Sequence, residues 1–230
     1  MLKKIFGFGT YERRKFINQF AESIPAGATV LDAGAGTCKY KPLFSHCDYK
    51  AHDFAAYTGV EHRYGELDYI SDIESIPVED DSFDYLLCTE VLEHVPRPDL
   101  AIKEFFRILK PGGKMILTAP LGAGLHMQPY HFYGGFTPYW YQHFLEKYGF
   151  DVESIKECGK FFRVYGAESQ RFLSKLTPKG GIQWLLFQPF KAVLSLWFRI
   201  LMPVVCYFLD EYVYDYKEFT AGYFVTATKP

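Results

Sequence analysis

The sequence predicts an α/β fold built on a parallel sheet, and three observations support this prediction. Short apolar runs of strand length alternate with amphipathic helical segments between residues 10 and 157. Clusters of proline, glycine and aspartate separate these runs, as turns require. The first run, residues 28–33, ends on an acid and breaks into a glycine loop, the usual place for ligands in such folds. A chain of 230 residues with 49% hydrophobic residues can bury one substantial core.

The predicted strands are short and bounded by turn signals. They cover residues 28–33, 49–53, 83–88, 114–119, 150–157 and 222–228, with a further short strand or turn within 66–73. This order, strand then helix then strand, favours a sheet whose strands are joined by crossover helices.

Capping residues mark the predicted helices. Thr10 is the expected N-cap of a helix over residues 10–24, and a helix or loop begins within 40–45. Asp99 is the expected N-cap of an amphipathic helix that stops at the Pro-Gly-Gly of residues 111–113. Thr137 precedes a proline at the start of a helix that extends to residue 148.

The loop after the first strand is the most informative part of the chain. Gly34 and Gly36 can adopt positive φ and let backbone N–H groups approach a ligand closely. A dinucleotide fingerprint needs a third glycine three residues after the second, but that position is Lys39. Asp32 directs negative charge at the loop, which favours a ligand carrying positive charge over a pyrophosphate.

Polar residues recur at later strand ends. Asp53 ends the second predicted strand, where a carboxylate can accept hydrogen bonds from both hydroxyls of a ribose. The pair Asp72-Ile73 follows the third strand, and the pair Thr89-Glu90 follows the fourth. In this fold class ligands bind outside the carboxyl ends of the strands, so these residues are candidates for one site.

Taken in order, these motifs resemble those of the class I S-adenosylmethionine-dependent methyltransferases. The resemblance is to the broad small-molecule group, in which a segment like Glu-Val-Leu-Glu-His of residues 90–94 follows the fourth strand. It covers about residues 26–157. It implies a Rossmann-like three-layer sandwich with a seven-stranded, mostly parallel sheet and an antiparallel last strand. It also implies S-adenosylmethionine as the cofactor and methyl transfer by in-line displacement.

The resemblance assigns a part of the cofactor to each motif. It implies that Asp32, Gly34 and Gly36 hold the methionine part, Asp53 the ribose, Asp72 with the Ile73 backbone the adenine, and that Thr89 and Glu90 line the sulfonium side. Each residue also has a structural interpretation, because aspartates at strand ends cap helices or form turns and glycines serve tight turns. The positive sulfonium and ammonium groups of the cofactor suit these carboxylates.

Four residues are candidates for deprotonating the acceptor: Glu93, His94, His126 and His131. For His94 the favoured role is to anchor its helix by hydrogen bonding. His126 and His131 lie in a loop after the fifth strand, at the cofactor edge, where they serve as base, acceptor ligand or loop-stabilising hydrogen-bond partners. No metal is predicted, because no third ligand stands at diagnostic spacing from this pair.

The chain departs from the family after residue 157. The family places its last strand soon after the sixth, whereas here residues 158–221 intervene. Residues 160–218 are predicted to form a helical insertion within a single domain spanning 1–230, well placed to shape the acceptor pocket.

Residues 182–209 of this insertion are apolar around most of a helix, which requires burial in protein, in a partner or in a bilayer. A lid over the sheet edge is the favoured interpretation, and a dimer interface or contact with a membrane surface are the alternatives. Spanning a membrane is disfavoured because Lys191, Arg199 and two prolines interrupt the apolar windows.

Composition restricts the partners and the compartment. A net charge of −2 provides no basic field, so no nucleic-acid partner is expected. Five cysteines without a CxxC pair argue against a disulfide framework or a zinc site and favour a reducing cytoplasm. No signal peptide is assigned, because the apolar run near the N-terminus is too short. The expected location is cytoplasmic, with peripheral membrane contact as the alternative.

The sequence therefore predicts methyl transfer from S-adenosylmethionine to a small or a lipid- or sugar-linked acceptor, which it does not identify. The alternative is a non-catalytic cofactor-binding or membrane-associated accessory protein of the same fold. An NAD-dependent oxidoreductase is disfavoured because position 39 is not glycine and no Tyr-x-x-x-Lys pair follows the fourth strand. The oligomeric state stays open.

Overall fold

The structure is a computed structural model that describes residues 2–59, 63–176, 180–213 and 219–230. These residues group into two compact units. One unit comprises residues 15–156 and 222–230 and contains the central sheet. The other comprises residues 1–14 and 157–221, and the predicted insertion of residues 160–218 falls within it.

The sheet has seven strands in the order β3-β2-β1-β4-β5-β7-β6. They are β1 (Thr29–Ala33), β2 (Asp48–Asp53), β3 (Tyr69–Ile70), β4 (Phe83–Thr89), β5 (Leu109–Pro120), β6 (Asp151–Glu157) and β7 (Gly222–Thr228). The first five strands pair in parallel, and β7 runs antiparallel to β5. This topology confirms the predicted Rossmann-like sheet with an antiparallel last strand.

The helices are α1 (Leu2–Phe6), α2 (Phe8–Ser23), α3 (Pro98–Ile108), α4 (Pro138–Lys147), α5 (Phe161–Lys175), α6 (Ile182–Leu196) and α7 (Met202–Tyr212). Single 3-10 turns cover Lys41–Phe44 and Leu92–His94, and Trp197–Leu201 form a π-helical segment. The strand order reverses between β1 and β4, and at such a switch point the loops after the two strands diverge and leave a crevice.

The core fixes the strand ends that border this crevice. Leu31 in β1 and Leu86 in β4 are fully buried, which explains why both strands read as continuous apolar runs. The amphipathic helix α3 buries Ile102 and Phe105 against the same core cluster. Burying an apolar side chain of this size contributes about 1.5–3 kcal/mol, so the strands cannot slide without a large loss of stability.

Three sequence expectations about element ends are tested by the structure. Thr10 lies inside α2, which begins at Phe8, so its predicted role as N-cap is wrong. Asp99 is not an N-cap either, because α3 begins at Pro98 and Asp99 lies in its first turn. An acid there still favours the helix through the helix dipole. Thr137 is confirmed as the N-cap of α4, where its side chain accepts a hydrogen bond from the Trp140 amide.

Contacts between α5 and α7 hold the second unit together. Arg163 on α5 pairs with Asp210 at 3.2 Å and with Glu211 at 3.2 Å. Gly166 lets α7 approach, because a Cβ there would lie 3.0 Å from the Cβ of Cys206. The α6, π-helical and α7 segments form one continuous helical stretch from residue 182 to 212.

This stretch exposes an unusual amount of apolar surface. Leu186 is 70% exposed, Val193 66% and Leu196 54%. Trp184–Tyr212 spans 29 residues, and within it an 18-residue window has a mean hydropathy of 1.9 and is 11% buried. By length and composition alone this helix could cross a membrane, whereas its charges and prolines disfavour spanning.

Candidate functional site

The loop after β1 adopts a conformation that suits glycine. Gly34 has φ of +84° and Gly36 has φ of +54°. A Cβ on Gly34 would lie 2.3 Å from a methyl carbon of Val91, so only glycine lets the loop approach the segment after β4. A Cβ on Gly36 would meet no atom within 4 Å, so open space lies beside this part of the loop.

Asp32 is a buried carboxyl with one unused oxygen. Its side chain is 1% exposed, and Oδ2 accepts a hydrogen bond of 2.6 Å from the Tyr49 hydroxyl. Burial raises the pKa of Asp32 to about 7, although the Tyr49 hydrogen bond and the Lys39 charge both lower it. Oδ1 is buried and has no hydrogen-bond partner among the described residues. A cationic ligand would satisfy that oxygen and favour the ionised carboxylate.

Asp53 binds the glycine loop itself. Its Oδ2 accepts a hydrogen bond of 2.9 Å from the Gly36 amide, and its Oδ1 accepts one of 3.2 Å from the Ala55 amide. Asp53 therefore has a structural role, because its carboxylate fixes the glycine loop. Each carboxylate oxygen can accept a second hydrogen bond, so the same group can also accept ribose hydroxyls.

The pair after β3 also lines the crevice. Asp72 is exposed, and its Oδ1 accepts a hydrogen bond of 3.0 Å from the Glu74 amide. This bond closes a local turn of the kind that aspartates commonly form. Ile73 is 6% exposed and packs into the core. The Asp72 carboxylate therefore lies next to a backbone segment that the buried Ile73 side chain holds in place.

The pair after β4 is held against β5. Glu90 has φ of +56°, an uncommon conformation for a residue with a side chain. Two bonds to Thr118 hold it there: the Glu90 amide donates to the Thr118 carbonyl at 2.7 Å, and the Thr118 hydroxyl donates to Glu90 Oε1 at 2.9 Å. Thr89 is buried beside it. Strained backbone held in this way occurs frequently at functional sites.

These residues surround one cavity of about 440 Å³, a size typical of small-ligand sites. Its lining includes all eight cofactor-site candidates: Asp32, Gly34, Gly36, Asp53, Asp72, Ile73, Thr89 and Glu90. Of the four candidates for proton transfer, His94 lines the cavity. The fold therefore brings together residues that lie up to 62 positions apart in the sequence.

A larger groove of about 720 Å³ lies near α3 but offers less specific chemistry. Two of its cations are already engaged, because Arg107 pairs with Glu104 and Asp80 and Lys229 pairs with Asp81. The cavity lined by the strand-end motifs is therefore the candidate functional site.

The remaining proton-transfer candidates gather beside His94. The ring centre of His126 lies 4.7 Å from that of His94, and the ring centre of His131 lies 4.4 Å from that of His126. Glu93 is 1% exposed, and its Oε1 lies 3.9 Å from His94 Nε2. The four residues thus form one cluster, the histidine cluster, which meets the cavity at His94.

Sequence reasoning missed much of the apolar lining. Phe54 and Tyr130 both line the cavity and contact each other edge to face, with ring centres 5.1 Å apart. Tyr49 was also missed, although its hydroxyl is the partner of Asp32. Tyr49 pairs with Val30, two residues before Asp32, but a strand pattern does not reveal a cross-strand hydrogen bond. The aromatic excess of the chain was the available signal for the lining residues.

The fold and the site define a class. A seven-stranded sheet with an antiparallel last strand, and an acid and a glycine loop after β1, are the features that the motif resemblance to the class I methyltransferases implies. Residues 31–117 match the family model described as a methyltransferase domain. This match agrees with the class that the motifs imply.

Curated relatives agree on this domain. An uncharacterized methyltransferase of Mycobacterium bovis is 32% identical over 129 residues, which are 48% of this chain and 48% of the relative. The tRNA (carboxymethyluridine(34)-5-O)-methyltransferase of Arabidopsis thaliana is 31% identical over 103 residues, 43% of this chain and 26% of the relative. The chain thus spans between a quarter and half of the length of the curated relatives it matches.

Solved structures agree on the fold. A putative methyltransferase from Bacillus halodurans superposes with a TM-score of 0.54 at 20% identity, covering 94% of this chain and 98% of that one. Phosphoethanolamine N-methyltransferase 2 of Haemonchus contortus, solved with S-adenosyl-L-methionine, gives a TM-score of 0.57 at 17% identity and covers 96% of this chain and 52% of that one. S-adenosylmethionine is the cofactor of this class.

The residues present fit that cofactor. The unpartnered Oδ1 of Asp32 suits an ammonium group, and the open space beside Gly36 leaves room for a ligand against the loop. Asp53 and Asp72 stand where hydroxyl and amino groups of a nucleoside can donate to carboxylates. The aromatic pair Phe54 and Tyr130 offers flat apolar surface for the rest of the ligand.

Proposed function

We propose that this chain transfers a methyl group from S-adenosylmethionine to a small or a lipid- or sugar-linked acceptor. The observation that carries the proposal is the unpartnered, buried oxygen of Asp32 in a cavity that the seven other cofactor-site candidates also line. A buried carboxylate without a full set of partners is costly, and a cationic ligand removes that cost. A purely structural role for these residues would not require a buried Asp32 oxygen that lacks a hydrogen-bond partner among the described residues.

In this proposal the chain supplies binding and position. Asp32 and the glycine loop hold the amino-acid part of the cofactor, Asp53 and Asp72 hold its nucleoside, and Thr89 with Glu90 border the reacting end. The bound cofactor supplies an electrophilic methyl group on a sulfonium. The remaining work is to align the acceptor with that group, exclude water and remove a proton from the acceptor. The histidine cluster of Glu93, His94, His126 and His131 is the candidate for that proton.

The first experiment measures cofactor binding by isothermal titration. We expect saturable binding of S-adenosylmethionine by the full chain and at least roughly tenfold weaker binding by Asp32→Ala, since charge-assisted bonds contribute about 1.5–3 kcal/mol. Asp151→Asn is the matched control, because Asp151 is an exposed acid at the start of β6 outside the cavity. Tight NAD binding with no response to S-adenosylmethionine contradicts the proposal.

The second experiment separates the enzyme from an accessory protein. The full chain is incubated with methyl-labelled S-adenosylmethionine and a panel of hydroxyl, carboxylate and amine acceptors, and labelled product is counted. Product formation that Asp32→Ala abolishes supports the proposal. Cofactor binding without turnover across the panel favours the non-catalytic alternative.

The lipid-linked class of acceptor is favoured by the helix of residues 182–212. A 29-residue apolar stretch with most of its side chains exposed requires a covering surface, and a bilayer supplies one. Trp184 and Trp197, both about half exposed, are the residue type that concentrates at membrane interfaces. A lid or a dimer interface would cover the same face with protein instead.

Liposome flotation tests this part of the proposal. The full chain is mixed with vesicles of a phosphatidylcholine and phosphatidylglycerol mixture, and we expect it to float with them. A variant with Leu186, Val193 and Leu196 replaced by serine is expected to stay in the dense fraction, whereas Leu125→Ser, at an exposed leucine of the other unit, should float as the parent does. A parent chain that stays unbound contradicts membrane contact.

A further inference from the structure

The histidine cluster has the geometry of a metal site. Glu93, His94 and His126 each offer one ligand atom, and these atoms all lie within 4.8 Å of one another. Around a tetrahedral zinc ion with bonds of about 2.05 Å, neighbouring ligand atoms stand about 3.4 Å apart. Small side-chain rotations therefore bring the three atoms to bonding distance. A site with two imidazoles and one carboxylate is a known set for catalytic zinc.

Hydrogen bonds leave the right nitrogens available. His94 Nδ1 bonds to the carbonyl of Tyr130, and His126 Nδ1 bonds to the carbonyl of Gly124 at 2.9 Å. A carbonyl only accepts, so in both rings Nδ1 carries the proton and Nε2 carries a lone pair. Metal-bound histidines are commonly oriented by such an N–H bond to a carbonyl or carboxylate.

A third histidine strengthens the argument. Both ring nitrogens of His131 are buried and have no hydrogen-bond partner among the described residues. Its ring centre lies 4.4 Å from that of His126 and 5.7 Å from that of His94. An imidazole that is buried without partners is costly, and a cation or a cation-bound water beside it removes that cost.

The cluster also includes an acidic ligand. The buried carboxylate of Glu93 supplies the negative charge that a divalent cation requires.

We propose that Glu93, His94 and His126 bind a divalent transition-metal ion of the zinc type, with His131 in contact with the bound ion or its water. The sequence spacing concealed this site, because the third and second ligands are separated by 32 residues and meet only through the fold. The loop that carries His126 is tied down where the amides of Phe132 and Tyr133 donate to the Glu93 carbonyl. The ligands thus come from two segments that are fixed to each other.

The site adjoins the cavity, since His94 belongs to both. A bound cation lowers the pKa of a coordinated hydroxyl, so an acceptor with an oxygen nucleophile is the class it would favour. This consequence for the acceptor rests on the proposed methyl transfer. The metal site itself does not, because it can be measured without cofactor or acceptor.

Metal titration of the full chain tests the site. The chain is stripped with a chelator, and Zn²⁺ and Co²⁺ are titrated and followed by calorimetry and by visible absorption of Co²⁺. We expect one ion per chain with a tetrahedral Co²⁺ spectrum. His126→Ala should weaken binding by roughly tenfold or more. His126 is exposed, so this variant is expected to fold, and circular dichroism confirms that it does.

The controls separate this site from other metal ligands. His143→Ala removes an exposed histidine on α4, outside the cluster, and should bind as the parent does. A strong near-ultraviolet thiolate band with Co²⁺ would show that one of the five cysteines binds the ion instead. Equal binding by His126→Ala and the parent, or no binding by either, overturns the proposal. S-adenosylmethionine binding, measured separately, shows whether the cofactor site survives when the metal site fails.

Discussion

The Tyr49 hydroxyl donates a 2.6 Å hydrogen bond to Asp32 Oδ2, across the β1–β2 pair. This bond is the strongest influence that lowers the pKa of Asp32 against the larger effect of burial. Because a cationic ligand binds the ionised carboxylate, Tyr49 helps set the pH at which the site is ready.

Tyr49→Phe is expected to weaken S-adenosylmethionine binding near pH 7 and to leave it nearly unchanged near pH 9. Without the hydrogen bond the pKa of Asp32 rises above about 7, so a smaller fraction is ionised at neutral pH. Isothermal titration between pH 6 and pH 9 measures the affinity. In the parent, the affinity should fall as the pH drops through about 7, and in the variant this fall should occur at higher pH.

Tyr139→Phe is the matched control, because that tyrosine is 83% exposed. The same pH profile in Tyr49→Phe and the parent would show that Asp32 ionisation does not govern binding.

Asp32→Asn is expected to stabilise the cofactor-free protein at alkaline pH while it weakens cofactor binding. The folded pKa of about 7 exceeds the unfolded value of 3.8, so the folded state holds this proton more tightly. That contribution to stability is fully present below pH 3.8 and is lost as the pH rises through about 7. At 1.36 kcal/mol per pH unit, its upper bound is about 4 kcal/mol.

Urea unfolding at pH 5 and pH 8 measures this effect. The free energy of unfolding of Asp32→Asn should exceed that of the parent by more at pH 8 than at pH 5. A destabilised Asp32→Asn at pH 8 would contradict the raised pKa. Saturating S-adenosylmethionine should reverse the order, because it stabilises only the form it binds.

The two loop glycines should respond differently to alanine. In Gly34→Ala the new Cβ meets Val91 at 2.3 Å, so the loop or the segment after β4 must move. We expect a loss of stability of several kcal/mol, from this clash and the positive φ. Gly36→Ala meets open space, so its cost is the backbone strain of about 1–2 kcal/mol.

For Gly36→Ala the larger effect should fall on the ligand. Its methyl group projects into the space beside the loop, so S-adenosylmethionine binding should weaken more than stability does. Thermal unfolding and calorimetric titration of the two variants compare the effects. Gly34→Ala with Val91→Ala as a double variant should recover part of the stability, because the shortened side chain removes the clash. No recovery would place the cause in φ alone.

Much of the fold followed from local patterns. The apolar runs and the Thr137 cap predicted strands and a helix, because these depend on period and turn chemistry. The eight cofactor-site candidates came from the strand-end motifs together with the family resemblance that these motifs carry, and all eight line the cavity. Helix starts at Thr10 and Asp99 were wrong, because a polar residue inside a helical pattern can lie within the first turn as readily as before it.

The parts that escaped prediction depend on contacts between distant residues. The meeting of His94 with His126 requires the loop after β5 to fold back on the segment after β4, and no spacing reports that. The hydrogen bond between Tyr49 and Asp32 depends on the register of β1 and β2, because a one-residue shift would place the Tyr49 side chain on the other face of the sheet. The exposure of the apolar side chains in residues 182–212 depends on which of them other segments cover, and composition alone does not reveal this.

Glu104 and Arg107 of α3 hold the segment after β3 through a set of hydrogen bonds, called the brace, on which the last prediction rests. Glu104 Oε1 accepts a hydrogen bond of 2.7 Å from the Ile76 amide, and Arg107 bonds both Glu104 and the Ile76 and Val78 carbonyls. Glu104 is 7% exposed. The brace fixes the turn four residues after Asp72, so it is a positioning element for that wall of the cavity.

Glu104→Ala is therefore expected to lower the free energy of unfolding by about 1–3 kcal/mol, because the buried Ile76 amide loses its partner. Glu104→Gln keeps an acceptor for that amide and should lose less. If the brace positions Asp72, both variants should weaken S-adenosylmethionine binding in proportion to their effect on this wall, whereas Lys103→Ala, on the exposed side of α3, should leave binding and stability unchanged. Unfolding in urea and calorimetric titration measure the two effects separately. A Glu104→Ala variant that is less stable yet binds the cofactor as the parent does would show that the brace has only a structural role and does not position Asp72.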